Sequence, residues 1–98
     1  MNETIINIIL SKYPDAEAIY LYGSYARGTE TEQSDIDVCI EMPNGVEIRM
    51  HDFALNEVLT DAVGKEVHAV FCVNQNTGFK NEWCELLIYK SELANVME

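Results

Sequence analysis

The sequence predicts an α+β fold, a small mixed sheet of about three to four strands with helices packed on it. Three observations predict it. Ile36, Val38 and Ile40 alternate with Asp35, Asp37, Cys39 and Glu41, the period of two that marks a strand with one apolar face. Ile5, Ile6, Ile9, Leu10 and Tyr13 recur at helical spacing, and so do Val46, Met50, Phe53, Ala54 and Val58. Glu66 to Val73 is a β-branched, apolar run of strand length. A chain of 98 residues, 48% hydrophobic and 23% charged, suits one globular domain over 1–98.

The elements follow in order. Residues 3–13 form a helix, with Asn2 as its cap and Pro14-Asp15 as its stop. Ala18 to Tyr22 is a short strand ended by Gly23-Ser24, and the small residues Ser24 and Ala26 allow a brief helix before Gly28. Thr29 to Ser34 is a polar loop, and residues 35–41 are the second strand. Pro43-Asn44-Gly45 makes a turn. The helix from Val46 buries its Met50, Phe53, Ala54 and Val58 stripe, widened by Leu55 and Leu59, and ends at Gly64. Residues 66–73 are the third strand, Asn74 to Gly78 is a loop, and Trp83, Leu86, Leu87 and Lys90 predict a final helix.

Charge and cysteine content narrow the function. Six basic residues against seventeen acidic ones give a net charge of -11. Such a chain repels a phosphate backbone unless a cation intervenes, which argues against a broad nucleic-acid surface. It favours a basic protein partner or a bound divalent metal; the same acidity also serves plain solubility. Cys39, Cys72 and Cys84 are odd in number, widely spaced and set in apolar runs. They read as buried free thiols of a reducing compartment, not as a zinc cage or redox pair. No apolar run approaches membrane-spanning length, and Met1-Asn2-Glu3-Thr4 opens no signal peptide. A cytoplasmic protein with no membrane partner is expected.

The chemistry lies in Gly23-Ser24-Tyr25-Ala26-Arg27-Gly28 and, shortly after, Ser34-Asp35-Ile36-Asp37. A glycine after a strand lets backbone approach a ligand closely. A serine beside it offers a hydroxyl to a phosphate, and the start of a helix adds free N–H groups. Two aspartates two residues apart on a strand point the same way, about 6–7 Å apart at their bases. They repel each other without a cation and make a hard-oxygen site with one. Taken singly, Gly-Ser is an ordinary strand-to-helix turn and Asp-Ile-Asp an ordinary solvated strand face. Together, Gly-Ser, ten residues and Asp-x-Asp arise by chance roughly once per thousand chains of this size.

Gly23-Ser24-x10-Asp35-x-Asp37 resembles the signature of the nucleotidyltransferase superfamily with the DNA polymerase β-like fold. With Tyr22 before the motif and Ala26-Arg27-Gly28 inside it, the chain is similar to the minimal nucleotidyltransferases of bacteria and archaea. The resemblance implies that Gly23 and Ser24 contact a triphosphate, and that Asp35 and Asp37 hold divalent metal, Mg²⁺ or Mn²⁺, with ATP as substrate. The superfamily places a third carboxylate on a later strand, where this chain has His68. An imidazole ligates metal or takes a proton, but it suits Mg²⁺ poorly. Glu66, two residues earlier on the same strand face, is the other candidate. Arg27 has two readings, a phosphate contact or a salt bridge to Glu30 or Glu32, and His51 reads as a surface residue.

Larger members carry a further domain that holds the acceptor, and none is read here, so the acceptor is expected to be another molecule or a second copy of the chain. The resemblance implies a helical HEPN-type toxin as partner, with AMP moved from ATP to its tyrosine by this chain as antitoxin. A homo-oligomer stays open. The alternative is a degenerate nucleotidyltransferase-fold protein that neutralises its partner by binding alone. The departure at His68 favours that alternative; the retained, mutually repelling Asp35 and Asp37 oppose it. Modification of a small molecule is the weakest reading, because no segment is read as holding such a substrate.

Overall fold

The structure is a computed structural model and describes residues 1–43, 52–73 and 85–91. The elements run α1 (Asn2–Lys12), β1 (Ala18–Tyr22), α2 (Ser24–Arg27), β2 (Ile36–Met42), α3 (Phe53–Val63), β3 (Val67–Val73) and β4 (Leu86–Lys90). They form one four-stranded mixed sheet in the order β3-β2-β1-β4. β1 lies antiparallel to both β2 and β4, and β2 lies parallel to β3. The α+β expectation holds, at the upper end of its strand count.

Alternation along the strands divides the sheet. Ile19 and Leu21, then Ile36, Val38 and Ile40, are all nearly or fully buried. They pack with Ile5 and Ile9 of α1 and with Leu55 and Leu59 of α3 in one core. Asp37 and His68, one residue out of phase with that set, sit opposite one another in the parallel β2–β3 register. Of the three cysteines, Cys39 is buried and not in a disulfide; the side chains of Cys72 and Cys84 lie outside the described residues.

Four details differ from the sequence reading. Asn2 is the first residue of α1 and not its cap, and no side chain caps that end. Glu3 stands in the first turn, where a carboxylate meets the positive end of the helix dipole. The segment expected as a last helix is the strand β4, at least over Leu86–Lys90; Trp83 lies outside the described residues. β1 has a free edge there, and pairing Ala18 with Lys90 and Ile19 with Tyr89 satisfies backbone groups that a short isolated helix would leave open.

The third difference is the start of α3, at Phe53 behind an Asp52 cap whose carboxylate accepts from Leu55 N–H at 3.0 Å. Val46, Met50, His51 and the Asn44-Gly45 turn lie outside the described residues, as does the 74–78 loop. The fourth is the helix's buried face: Leu55 and Leu59 are buried, while Phe53 is 78% and Val58 52% exposed and Ala54 is exposed too. The rotation has a visible cause. Asn56 Oδ1 accepts from Ala69 N–H at 2.9 Å and Thr60 Oγ1 accepts from Val67 N–H at 3.0 Å. Four helical residues rise about 6 Å and two strand residues about 6.6 Å, so this side-chain pair matches the spacing of alternate N–H groups on an edge strand. The helix thereby closes β3's outer edge, which unpaired would invite another strand. Gly64 ends α3 in the left-handed region at φ 82°, as expected.

Among the described residues no helix is long and apolar enough to cross a membrane.

Candidate active site

The site forms where β1 ends and β2 and β3 begin. Gly23 follows β1 with φ 76° and ψ −151°, a conformation open essentially to glycine alone. A Cβ built on Gly23 would stand 2.8 Å from Asp37 Oδ2. The glycine is therefore needed twice, for its backbone angle and for the space that the carboxylate occupies. Replacing it with alanine is expected to cost about 1–3 kcal/mol and to push the Asp37 carboxylate aside. Thermal melting should show this as a clear downward shift; a Gly23→Ala protein melting at the parent's temperature would refute the close fit.

α2 is a single turn from Ser24 to Arg27, closed by Gly28 in the left-handed region at φ 72°. Its sequence-predicted cation, Arg27, neither reaches Glu30 nor Glu32. Its guanidinium pairs with Glu85, at 3.0 and 3.2 Å to the two carboxylate oxygens. Gly23 N–H donates to the same carboxylate at 3.4 Å. The Gly-Ser turn and Arg27 thus converge on one anionic group, which is the donor pattern that a phosphate oxygen would also meet. Lys65 steadies the loop behind them. Its Nζ donates to the Thr31 and Glu32 carbonyls at 3.4 and 3.1 Å and lies 5.4 Å over the Tyr25 ring.

Asp35 and Asp37 share a strand face, as their spacing predicts, and both line a pocket of about 450 Å³ with Tyr22, Phe53, Asn56 and His68. Their surroundings differ. Asp35 is exposed and Asp37 is half-buried. Burial pushes the Asp37 carboxyl above its ordinary value; His68 opposes that rise and the Asp35 charge adds to it. Tyr22, paired with Asp37 across β1–β2, has its phenol raised by burial first and then by the Asp37 carboxylate. His68 Nε2 lies 3.2 Å from Glu66 Oε1 and 3.6 Å from Asp35 Oδ2. Ligating atoms of Asp35, Glu66 and His68 all fall within 4.8 Å of one another, and Asp37 is not in that group.

This donor set fits a divalent cation chemically. It offers two carboxylates, which hard cations prefer, and one imidazole. Asp37 supplies a further carboxylate in the same pocket. Sequence reasoning missed Glu85, Asn56 and Tyr22 as members of the site. Tyr22 had a signal, its place just before Gly23. Glu85 had none, since it meets Arg27 across 58 positions of sequence.

Residues 3–92 match the nucleotidyltransferase domain family. The chain belongs to that family. A candidate protein adenylyltransferase of Methanocaldococcus jannaschii is 36% identical over 63 residues, covering 64% of this chain and 62% of that one. The protein adenylyltransferase MntA of Shewanella oneidensis is 42% identical over 41 residues, covering 41% of this chain and 30% of MntA. The matched segments thus span less than two thirds of these relatives. Among solved structures, a chain of a toxin–antitoxin complex with AMP-PNP superposes with a TM-score of 0.70 at 20% identity, over 98% of this chain and 78% of that one. A chain of the complex between the tri-AMPylated Shewanella oneidensis HEPN toxin and MNT antitoxin gives 0.61 at 18% identity, over 98% and 75%. Those likenesses show that this nucleotidyltransferase-family chain shares the MNT fold.

Proposed function

We propose that the chain is a metal-dependent nucleotidyltransferase that moves AMP from ATP onto a hydroxyl of a partner protein, as the antitoxin of a HEPN-type toxin. The observation that carries this reading is the fit of Gly23 against Asp37, with a Cβ excluded at 2.8 Å. A turn that only reversed the chain would have no reason to sit against a desolvated carboxylate. The Gly23 N–H and Arg27 meet on the Glu85 carboxylate, which supports a role in receiving phosphate oxygens, with Ser24 next to Gly23 in the chain. Asp35 and Asp37, with His68 and Glu66, would hold Mg²⁺ or Mn²⁺. The metal when bound neutralises phosphate charge and polarises the reacting phosphoryl group.

In the transfer the acceptor oxygen bonds to the α-phosphorus and the bond from that phosphorus to the α–β bridging oxygen breaks. Pyrophosphate leaves with the bond's electrons. The hydroxyl proton passes to a base in the pocket; His68, flanked by Glu66 and Asp35, supplies that base only where its Nε2 is not bound to the metal. Positioning and charge neutralisation then supply most of the rate. The names of MntA and of the HEPN–MNT complex support the choice of AMP and of a toxin partner.

The test is intact-mass spectrometry of a HEPN-type toxin after incubation with the chain, ATP and Mg²⁺. A mass gain of one or more AMP units that disappears in the Asp35→Asn/Asp37→Asn protein is expected. Without the partner, labelled ATP should mark little or nothing. Tight binding of the partner with no mass gain would replace the catalytic reading with the binding-only one, which His68 in the third-carboxylate position favours.

A further inference from the structure

We propose that Asp35, Glu66 and His68 form a mixed carboxylate–imidazole cation site, which makes this chain prefer first-row transition ions such as Mn²⁺ over Mg²⁺. The binding part of this proposal stands on geometry; its consequence for transfer rests on the nucleotidyltransferase reading.

The backbone brings the three together. Parallel pairing sets Ile36 beside Val67 and Asp37 beside His68. The residues just before each strand, Asp35 and Glu66, therefore lie side by side at the same end of the sheet. Ile36 N–H donates to the Glu66 carbonyl at 2.9 Å and fixes that register. Glu66 and His68, two apart on β3's face, then reach towards Asp35 from the neighbouring strand. His68 Nε2 stands 3.2 Å from Glu66 Oε1 and 3.6 Å from Asp35 Oδ2. Ligands about 2.0–2.2 Å from a common cation stand about 3 Å apart when adjacent in its coordination shell. The side chains are 47%, 49% and 64% exposed for His68, Asp35 and Glu66, so small rotations close the remaining gap without disturbing the core.

The preference follows from donor chemistry. Mg²⁺ demands oxygen ligands and a near-ideal octahedron, and it gives up water reluctantly. An imidazole nitrogen is a poor exchange for one of its oxygens. First-row transition ions accept nitrogen readily and rise in affinity along their series. Glu66 restores by position the carboxylate that His68 removes, so the site keeps two oxygens and gains a nitrogen. Asp37, packed against Gly23, lies outside this triad and adds its carboxylate from the same pocket.

The probe is Mn²⁺ added to the chelator-treated full chain without nucleotide, read by electron paramagnetic resonance. Titration gives the affinity, competition with Mg²⁺ gives the preference, and pulsed measurement detects a bound nitrogen. The expected spectrum shows one histidine nitrogen coupled to Mn²⁺. His68→Gln should remove the coupling, and His68→Gln or Glu66→Gln should each weaken Mn²⁺ by about tenfold or more. His68→Asp should also remove it while narrowing the gap between Mn²⁺ and Mg²⁺, since the set becomes all oxygen. Mn²⁺ bound without nitrogen coupling, at an affinity unmoved by Glu66→Gln and His68→Gln, would overturn the proposal. If the partner is still AMPylated in that case, the transferase reading survives alone. A nitrogen-coupled site with no AMP transfer under any metal keeps this inference and overturns that reading.

Discussion

Asp37→Asn is expected to lower AMP transfer by about 10²–10⁴-fold and yet to leave the chain slightly more stable at neutral pH. The rate loss follows from the charge that the reaction must neutralise. Metal-based stabilisation of a transferring phosphoryl group is worth several kcal/mol, and each 1.36 kcal/mol is about tenfold in rate. An amide of the same shape keeps the packing against Gly23 but loses the charge. The stability gain has the opposite origin. Burial, first, and the Asp35 charge, after it, raise the Asp37 carboxyl in the folded chain. A carboxyl that holds its proton more tightly when folded costs stability as pH rises through and above its ordinary value of 3.8. Asparagine carries no charge at any pH, so its advantage should be absent in acid and present near neutrality. Melting curves at both pH values and the mass assay together decide it. Undiminished transfer would remove Asp37 from the chemistry. An Asn variant less stable than the parent near neutrality would mean that the carboxylate supports the fold.

The trade-off explains why this site was legible in the sequence. Local rules account for β1, β2 and β3, the single turn of α2 and the Gly64 stop, because alternation and glycine placement are short-range signals. Gly23-Ser24 and Asp35-x-Asp37 stand out because they break those rules: a left-handed glycine and two adjacent carboxylates are features that folding alone does not favour. What failed was non-local. Leu86, Leu87 and Lys90 fit a helix as well as a strand, and only the free edge of β1, some seventy positions earlier, decides between them. The buried face of α3 could not be chosen from hydrophobicity, since Phe53, Ala54 and Val58 compete with Leu55 and Leu59. Asn56 and Thr60 settle it by capping β3, a role that no pattern within the helix announces. Arg27 met Glu85 for the same reason: its nearest acids in sequence were not its nearest in space.

Asp52→Ala, a change away from the pocket, is expected to cost about 2–3 kcal/mol. Asp52 joins the two helices on the core side of the sheet. One carboxylate oxygen caps α3 at Leu55 N–H, and the other accepts from the Tyr13 hydroxyl and pairs with Lys12 Nζ at 2.7 Å. Lys12 and Tyr13 end α1, so a single side chain fixes the start of one helix against the finish of the other. Alanine removes all three contacts and leaves the Leu55 N–H without its acceptor. For a domain of this size each kcal/mol shifts the melting temperature by about 4–8 °C, so a fall of about 10–20 °C follows. Asp52→Asn separates the parts, because its amide oxygen keeps the cap at Leu55 N–H while its NH2 cannot accept from the Tyr13 hydroxyl or Lys12 Nζ. The pH dependence gives the second check. Although burial alone would raise it, the Lys12 and Tyr13 contacts and the Leu55 N–H hold the Asp52 carboxyl down at about 2, below its ordinary 3.8. A carboxyl lowered by folding adds stability that is fully present above 3.8 and is lost as pH falls towards 2. The difference in stability between the parent and Asp52→Asn should therefore be constant near neutrality and shrink between those two values. Denaturant unfolding across that acid range measures it. A difference that persists unchanged to the acid end would show that Asp52 acts through shape and not through its charge.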